Sequence, residues 1–493
     1  MTDGGIANSL HVLRGGKVVR RILMVELWRL SGLELRGMIA AKEVKPSEIM
    51  AAVLARVEKR NPKLNAFCTI SQDLAMAEAR QADNKMTQEK DKPPLFGLPV
   101  SVKDLIFTKG IRTTFASKMH ENFTPDQDEI VVERLKAAGA IIIGKTNSCE
   151  YGYKAVTDSP LWGITRNPWN LEMTPAGSSG GAGAAVASGM GSLALGSDGG
   201  GSIRAPASFC GIFGLKSSRG RIPMYPLLPG WETLDRRVAH YGPLTRTVAD
   251  AAMMMEVMAG PDDRDPLSLP GGKFHYREEM KKGVQGLRMA WSRDLGHLVV
   301  DPVVREAVEE AARVFTRIGC KVEEATPEFP SMHDAFQLLF AADCAGAIGA
   351  QLNEWRDCLD PGLVRLTEIG LKASAVDYVR AVNRCHILWD RLEPLFAKYD
   401  LLLTPTLPLP PFPAGIDWPR EVAGRKVHPL TYLGFTYPFN LTGQPAASLP
   451  CTWTGDGLPI GVQVVAGRSE DLTVLRAAAA FEEARPWKDK WPD

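Results

Sequence analysis

Two glycine clusters in the first half of the chain carry serine: Gly177-Ser178-Ser179-Gly180-Gly181 and Asp198-Gly199-Gly200-Gly201-Ser202. A hydroxyl that attacks a carbonyl needs a base, a clear approach and donors for the oxyanion. Consecutive glycines supply the last two. They place no side chain in the path of a substrate, and their N–H groups can turn toward one point as an anion-binding nest. The chemistry that fits is acyl transfer through a serine nucleophile. Spacing alone leaves Ser179 and Ser202 both open as that nucleophile.

Three other readings of the stretch are weaker. A phosphate-binding loop requires Gly-Lys-Ser/Thr after the glycines, and no lysine lies between 155 and 215. Gly177-Ser178-Ser179-Gly180-Gly181 satisfies the G-x-S-x-G elbow of α/β-hydrolases with Ser179 as nucleophile. That elbow follows a core strand, whereas Asn167-Pro168-Trp169-Asn170 and Thr174-Pro175 are turn chemistry. Its histidine would be His386 or His428, neither in a telling context. A flexible Gly/Ser linker does not carry Ala184-Ala185-Val186-Ala187, which reads as helix, or Leu193-Ala194-Leu195, which reads as buried strand.

The elements around the clusters must hold them. Pro93–Asp104 reads as a turn feeding a short strand, Val131–Ala138 as a helix, and Ala140–Gly144 as a strand buried on both faces. Upstream, Leu27 to Ile39 suggests a short amphipathic helix. Lys45-Pro46-Ser47 opens another, with Ile49, Val53, Leu54 and Val57 on one face. Helical periodicity dominates 280–400, Val303–Phe315 being one example. Residues 435–467 alternate turn and strand, and Asp471–Glu482 closes as a helix. Strands alternating with helices predict an α/β fold with a mixed or parallel core sheet. No strong linker interrupts it, so residues 24–490 are expected to form a single domain. Its catalytic core would span 97–216 and a more variable helical lobe about 280–400. Residues 1–23 are basic, lack periodicity and are expected to form a flexible tail, with Met24 a candidate native start.

Composition excludes several function classes. The 58 basic and 57 acidic side chains leave a net charge of +1, which argues against a nucleic-acid binder. Eight dispersed cysteines form no CxxC pair or zinc-spaced cluster and read as reduced thiols. The N-terminus offers no uninterrupted apolar run, so neither secretion nor a membrane anchor is expected, and the cytoplasm is the default compartment. No metal or cofactor is called for.

Thr174–Lys216 resembles the defining motif of the amidase signature family. That motif pairs a GGSSGG-like cluster with D-x-GGS-[IV]-R and a CG-x-x-GLKP-like tail; this chain reads GSSGG, SDGGGSIRAPASFCG and IFGLKSS. The resemblance continues through Gly97–Leu105, Gly144-Lys145-Thr146-Asn147, Leu403–Thr406 and Leu458–Gly467, covering nearly the whole chain from about Met24.

The resemblance implies a mixed central β-sheet flanked by helices on both faces. It makes Ser202 the acyl-enzyme nucleophile and Ser178, preceded by a cis peptide bond, the bridge to Lys103 as base. The backbone N–H groups of Gly199, Gly200, Gly201 and Ser202 become the oxyanion hole. Nothing in local spacing marks Lys103 among the basic residues, but its neighbours Val100, Val102, Leu105 and Ile106 suit the burial that would neutralise an ordinary lysine. Asp198 and Arg204 read as an ion-paired brace. The chain departs from the family at Gly199, where threonine is common, and at Ser217-Ser218, where Pro-Thr is common.

The implied activity is hydrolysis of a small-molecule acyl or aryl amide, with carbamates within range. The rival is the glutaminase component of a tRNA-dependent amidotransferase, which delivers ammonia inside a larger assembly. Phe115, Tyr151, Tyr153, Trp162, Trp169 and Trp231 are candidates for an aromatic acyl pocket, read equally well as core or surface aromatics. A homodimer is the one self-assembly entertained.

Overall fold

The computed structural model describes residues 26–86, 91–226, 238–272, 274–327 and 330–492. The expected tail at 1–23 and Trp231 lie outside them. The strands in chain order are β1 Phe67–Ile70, β2 Pro99–Lys103, β3 Ile141–Thr146, β4 Leu193–Asp198, β5 Phe213–Lys216 and β6 His240–Thr245. They continue with β7 Arg288–Trp291, β8 Lys321–Glu324, β9 Leu401–Pro405, β10 Glu421–Val422, β11 Arg425–Lys426, β12 Ala446–Trp453 and β13 Pro459–Ala466. All but the β10–β11 hairpin join one sheet, in the order β1-β3-β2-β4-β6-β5-β12-β13-β9-β7-β8. Pairing is parallel in two wings, β3-β2-β4 and β9-β7-β8. Between them β4, β6, β5, β12, β13 and β9 run antiparallel.

This is the mixed central sheet flanked by helices expected from the sequence, with fifteen α-helices among the described residues. Every residue of β2, β3 and β13 is buried, as strands covered on both faces must be. The helix opened by Lys45 spans Pro46–Leu64 and buries Ile49, Val53 and Val57 on one face. The 280–400 segment is largely helical. Its first long helix, Pro302–Arg317, starts where Asp301 accepts from the Val303 N–H at 3.1 Å and Pro302 occupies the first turn, where its missing donor costs nothing. No single helix among the described residues is long and apolar enough to cross a membrane.

Candidate active site

Lys103 is the last residue of β2, and its side chain is fully buried. β2 runs parallel to β4 with Val102 opposite Leu195. That register carries the lysine to the end of β4, where Nζ donates to Ser197 Oγ at 3.1 Å and reaches the Ser197 carbonyl at 3.4 Å. Its shortest contact is with Ser178 Oγ, at 2.6 Å. Burial pulls the ammonium from 10.5 down to about 7, against the opposing effects of Cys149 and Asp198. Cys149 is itself pushed up to about 12 by burial, so near neutrality it is a thiol and offers no counter-charge. The shift favours the free amine far more than in an ordinary solvated lysine.

The peptide bond between Gly177 and Ser178 is cis, as the resemblance implies. Two residues later the chain enters the buried helix Gly180–Ala187, which leads back into β4. The two glycine clusters are tied directly, since the Ser179 N–H donates to the Ser202 carbonyl at 3.1 Å.

Ser202 stands at the end of the loop that leaves β4 and precedes the helix Arg204–Cys210. Asp198 organises that loop. Its Oδ1 accepts from the Gly201 N–H at 2.7 Å, and its Oδ2 accepts from the Ile203 N–H at 3.1 Å. Arg204 answers both oxygens, with Nη2 2.9 Å from Oδ1 and Nε 3.0 Å from Oδ2. The guanidinium also donates to Gln463 Oε1, Asn440 Oδ1 and the Thr436 carbonyl. Burial alone would push the Asp198 carboxyl up; Arg204 and the Asn440 amide hold it well below the ordinary carboxylate range. The expected brace is thus a fully satisfied buried pair, the condition under which such a pair is tolerated. From the opposite side Thr436 Oγ1 donates to the Gly200 carbonyl at 2.6 Å. Gly201 has φ +135°, and a Cβ there would lie 2.4 Å from Thr436 Oγ1, so this position accepts only glycine.

The loop's N–H groups divide. That of Gly201 is taken by Asp198. Those of Gly199, Gly200 and Ser202 have no acceptor among the described residues. Of the four donors expected in the nest, three are available and the fourth sets the loop's shape.

Ser178, Ser197, Gly199 and Ser202 line one cavity. Ser202 is 8% exposed, and its Oγ makes no hydrogen bond to a described residue. Ser179, the alternative nucleophile of the sequence, is fully buried and donates to the Ser197 carbonyl at 3.1 Å, outside the cavity lining. The aromatic candidates separate likewise. Phe115 and Tyr151 line this cavity, and Tyr153 lines a second one beside it. Trp162 donates its indole N–H to Thr114 Oγ1 and Trp169 to the Cys210 carbonyl, and neither lines either of these two cavities.

Among the residues at the site that sequence reasoning missed are Ser197, Thr436, Phe336 and Phe340. Ser197 adjoins Asp198 in sequence, and that adjacency was the only available signal. Phe336 and Phe340 belong to the helix His333–Ile348 and Thr436 to the turn before the helix Pro438–Thr442, and all three reach the loop through tertiary packing.

The chain is similar in sequence and fold to known proteins. The sequence profile of the Amidase family matches residues 48–475. An acylamidase of Rhodococcus erythropolis is 37% identical over 470 residues, covering 94% of this chain and 97% of that protein. The A subunit of the glutamyl-tRNA(Gln) amidotransferase of Geobacillus kaustophilus (strain HTA426) is 36% identical over 487 residues, covering 93% of this chain and 98% of that protein. The crystal structure of a bacterial aryl acylamidase of the amidase signature family superposes with a TM-score of 0.88 at 30% identity, over 93% of this chain and 96% of that one. The chain belongs to the amidase signature family and is a C–N bond hydrolase.

Proposed function

We propose that the chain hydrolyses an acyl or aryl amide to acid and amine through an acyl-enzyme on Ser202. The observation that carries this reading is the 2.6 Å contact between the buried Lys103 Nζ and Ser178 Oγ, in the wall of the cavity that Ser202 also lines. Ser202 Oγ attacks the carbonyl carbon, its proton passing to Ser178 as the Ser178 proton passes to Lys103. The N–H groups of Gly199, Gly200 and Ser202 receive the oxyanion, each contributing about 3 kcal/mol. The relay then runs backward and protonates the leaving nitrogen, which departs poorly as an anion. Water attacks the ester by the same route and frees the acid. The reading takes the substrate to be a small molecule and the setting cytoplasmic, with the chain acting alone or as a homodimer.

A fluorophosphonate is expected to label Ser202, and Ser202→Ala to lower amide hydrolysis by about 10⁴-fold or more. A label mapped to Ser179 contradicts the assignment. The second reading, the glutaminase component of a tRNA-dependent amidotransferase, is supported by the 36% identity to the Geobacillus amidotransferase chain. It requires ammonia release from glutamine to depend on partner chains. Amide hydrolysis by the isolated chain, with glutamine left untouched, separates the two.

A further inference from the structure

Two cavities meet at Ser202. The narrower holds about 90 Å³ and is walled by Leu105, Phe115, Tyr151 and Met224. The wider holds about 340 Å³ and runs along Phe336, Leu366, Ile369, Trp418 and Tyr432. Gly152, Gly199, Ser202 and Phe340 belong to both walls, whereas Ser178 belongs to the narrow one alone.

That asymmetry orients the substrate, given the roles proposed above for Ser178 and Ser202. The leaving nitrogen takes its proton from Ser178 and so must lie on the narrow side. The acyl substituent lies across the carbonyl carbon from that nitrogen, which directs it into the wide cavity. We propose that the wide cavity is the acyl site and the narrow one the amine site. The substrates would then be amides of a large apolar carboxylic acid with ammonia or with a compact amine no bigger than one ring.

The walls suit that division. Lys154 and Asp417 line the wide cavity 2.6 Å apart, and the lysine is also bonded to Asp158 and Asp360, so three carboxylates meet one ammonium and this patch of the wall is polar and acidic. Arg365 lines the same cavity from an exposed position. The remaining surface is mostly aliphatic and aromatic. Each methylene buried against it is worth about fourfold in kcat/KM.

Phe340 is the partition. It lies on the helix His333–Ile348, 3.5 Å from where a Cβ on Gly199 would stand. It stacks on Phe336 at 5.8 Å, and Phe336 stacks on Tyr437 at 4.7 Å. Phe336 itself would be 2.7 Å from a Cβ on Gly200. Phe336 lies this close to the oxyanion loop because glycine occupies 200, whereas a Cβ at 199 would just touch Phe340. A threonine at 199 would extend toward the Phe340 ring and move the partition. The family departure at Gly199 is therefore coupled to how the two cavities are divided.

The test uses the full-length protein and two substrate series. One lengthens the acyl chain of a primary amide from acetamide to hexanamide; the other enlarges the amine of an acetamide from aniline to 4-aminobiphenyl. Wild type is expected to gain at least tenfold in kcat/KM along the first and to lose at least tenfold along the second. The opposite order overturns the assignment, as does equal handling of both series. Phe340→Ala is expected to bring the biphenyl amide to within threefold of the anilide. Phe340→Leu serves if the alanine variant does not fold, with the same direction and a smaller shift. An amine limit unchanged in the folded variant removes Phe340 as the partition. If wild type cleaves no member and Ser202 takes no fluorophosphonate, it is the underlying acyl-enzyme reading that fails.

Discussion

Lys103 and Lys145 lie on neighbouring parallel strands, with Val102 opposite Lys145 and Lys103 opposite Thr146. Both are fully buried, and burial pulls both ammonium groups down, to about 7 and about 8. Their surroundings differ. Lys145 Nζ donates to the Ile106 carbonyl, to Thr108 Oγ1 at 2.9 Å and to Thr113 Oγ1 at 3.0 Å, with the Asp104 carboxylate nearby. Those acceptors are buried and belong to the loop after β2. Lys103 contacts two serine side chains, Ser178 and Ser197, both in a cavity wall. A lowered pKa is thus shared by a lysine that ties down a loop and one whose partners line a cavity. What separates them is whether the partner hydroxyl leads to open space.

The sharpest way to break the comparison is to exchange each amine for a thioether of similar length. Lys103→Met is expected to lower kcat/KM for an amide by about 10²- to 10⁴-fold, the range for a lost general base, in a protein that still folds. Steady-state kinetics beside a thermal melt measures both. The stability change follows from the sign of the shift. A folded-state value below 10.5 means the unfolded chain holds the proton more tightly. The lysine's contribution to stability therefore rises with pH between about 7 and 10.5 and is least favourable below that window. Removing it carries no large penalty near neutral pH.

Lys145→Met should do the reverse. It leaves three buried oxygens without their donor and Asp104 without its cation, and is expected to cost about 3 kcal/mol of stability by denaturant titration. Activity per folded molecule is expected to stay close to wild type, because Lys145 lines neither cavity at Ser202 and bonds to no residue of the proposed relay. A variant that keeps its stability and loses its activity would erase the distinction between the two lysines.

The sequence distinguished these regions unevenly. Helix Pro46–Leu64 was legible because Ile49, Val53 and Val57 recur on one face, and β3 because three consecutive isoleucines leave it no solvent side. The glycine clusters announced a nest and a nucleophile from residue type alone. Lys103 was reached only through the family motif, since what brings it to Ser178 and Ser197 is the register between β2 and β4, a long-range fact. Strand β6 escaped notice for a physical reason. His240-Tyr241-Gly242-Pro243-Leu244-Thr245 has a glycine and a proline at its centre, poor strand formers, yet it pairs with both β4 and β5 in mid-sheet. Gly242 is required there, because a Cβ would fall 1.8 Å from the Leu215 carbonyl oxygen. Phe336 and Phe340 read only as helix. Their place over the oxyanion loop depends on how the helical lobe packs, which no local pattern encodes.

The central claim is that a neutral Lys103 activates Ser202 through Ser178, and the pH dependence of Ser202 phosphonylation tests it most directly. The rate of inactivation by a small fluorophosphonate should fall about tenfold per pH unit below about 7 in wild type and level off above it, because the protonated lysine cannot accept the relayed proton. In Lys103→Met the rate should be slow and flat across the same range. A wild-type profile that persists in the methionine variant would contradict the account.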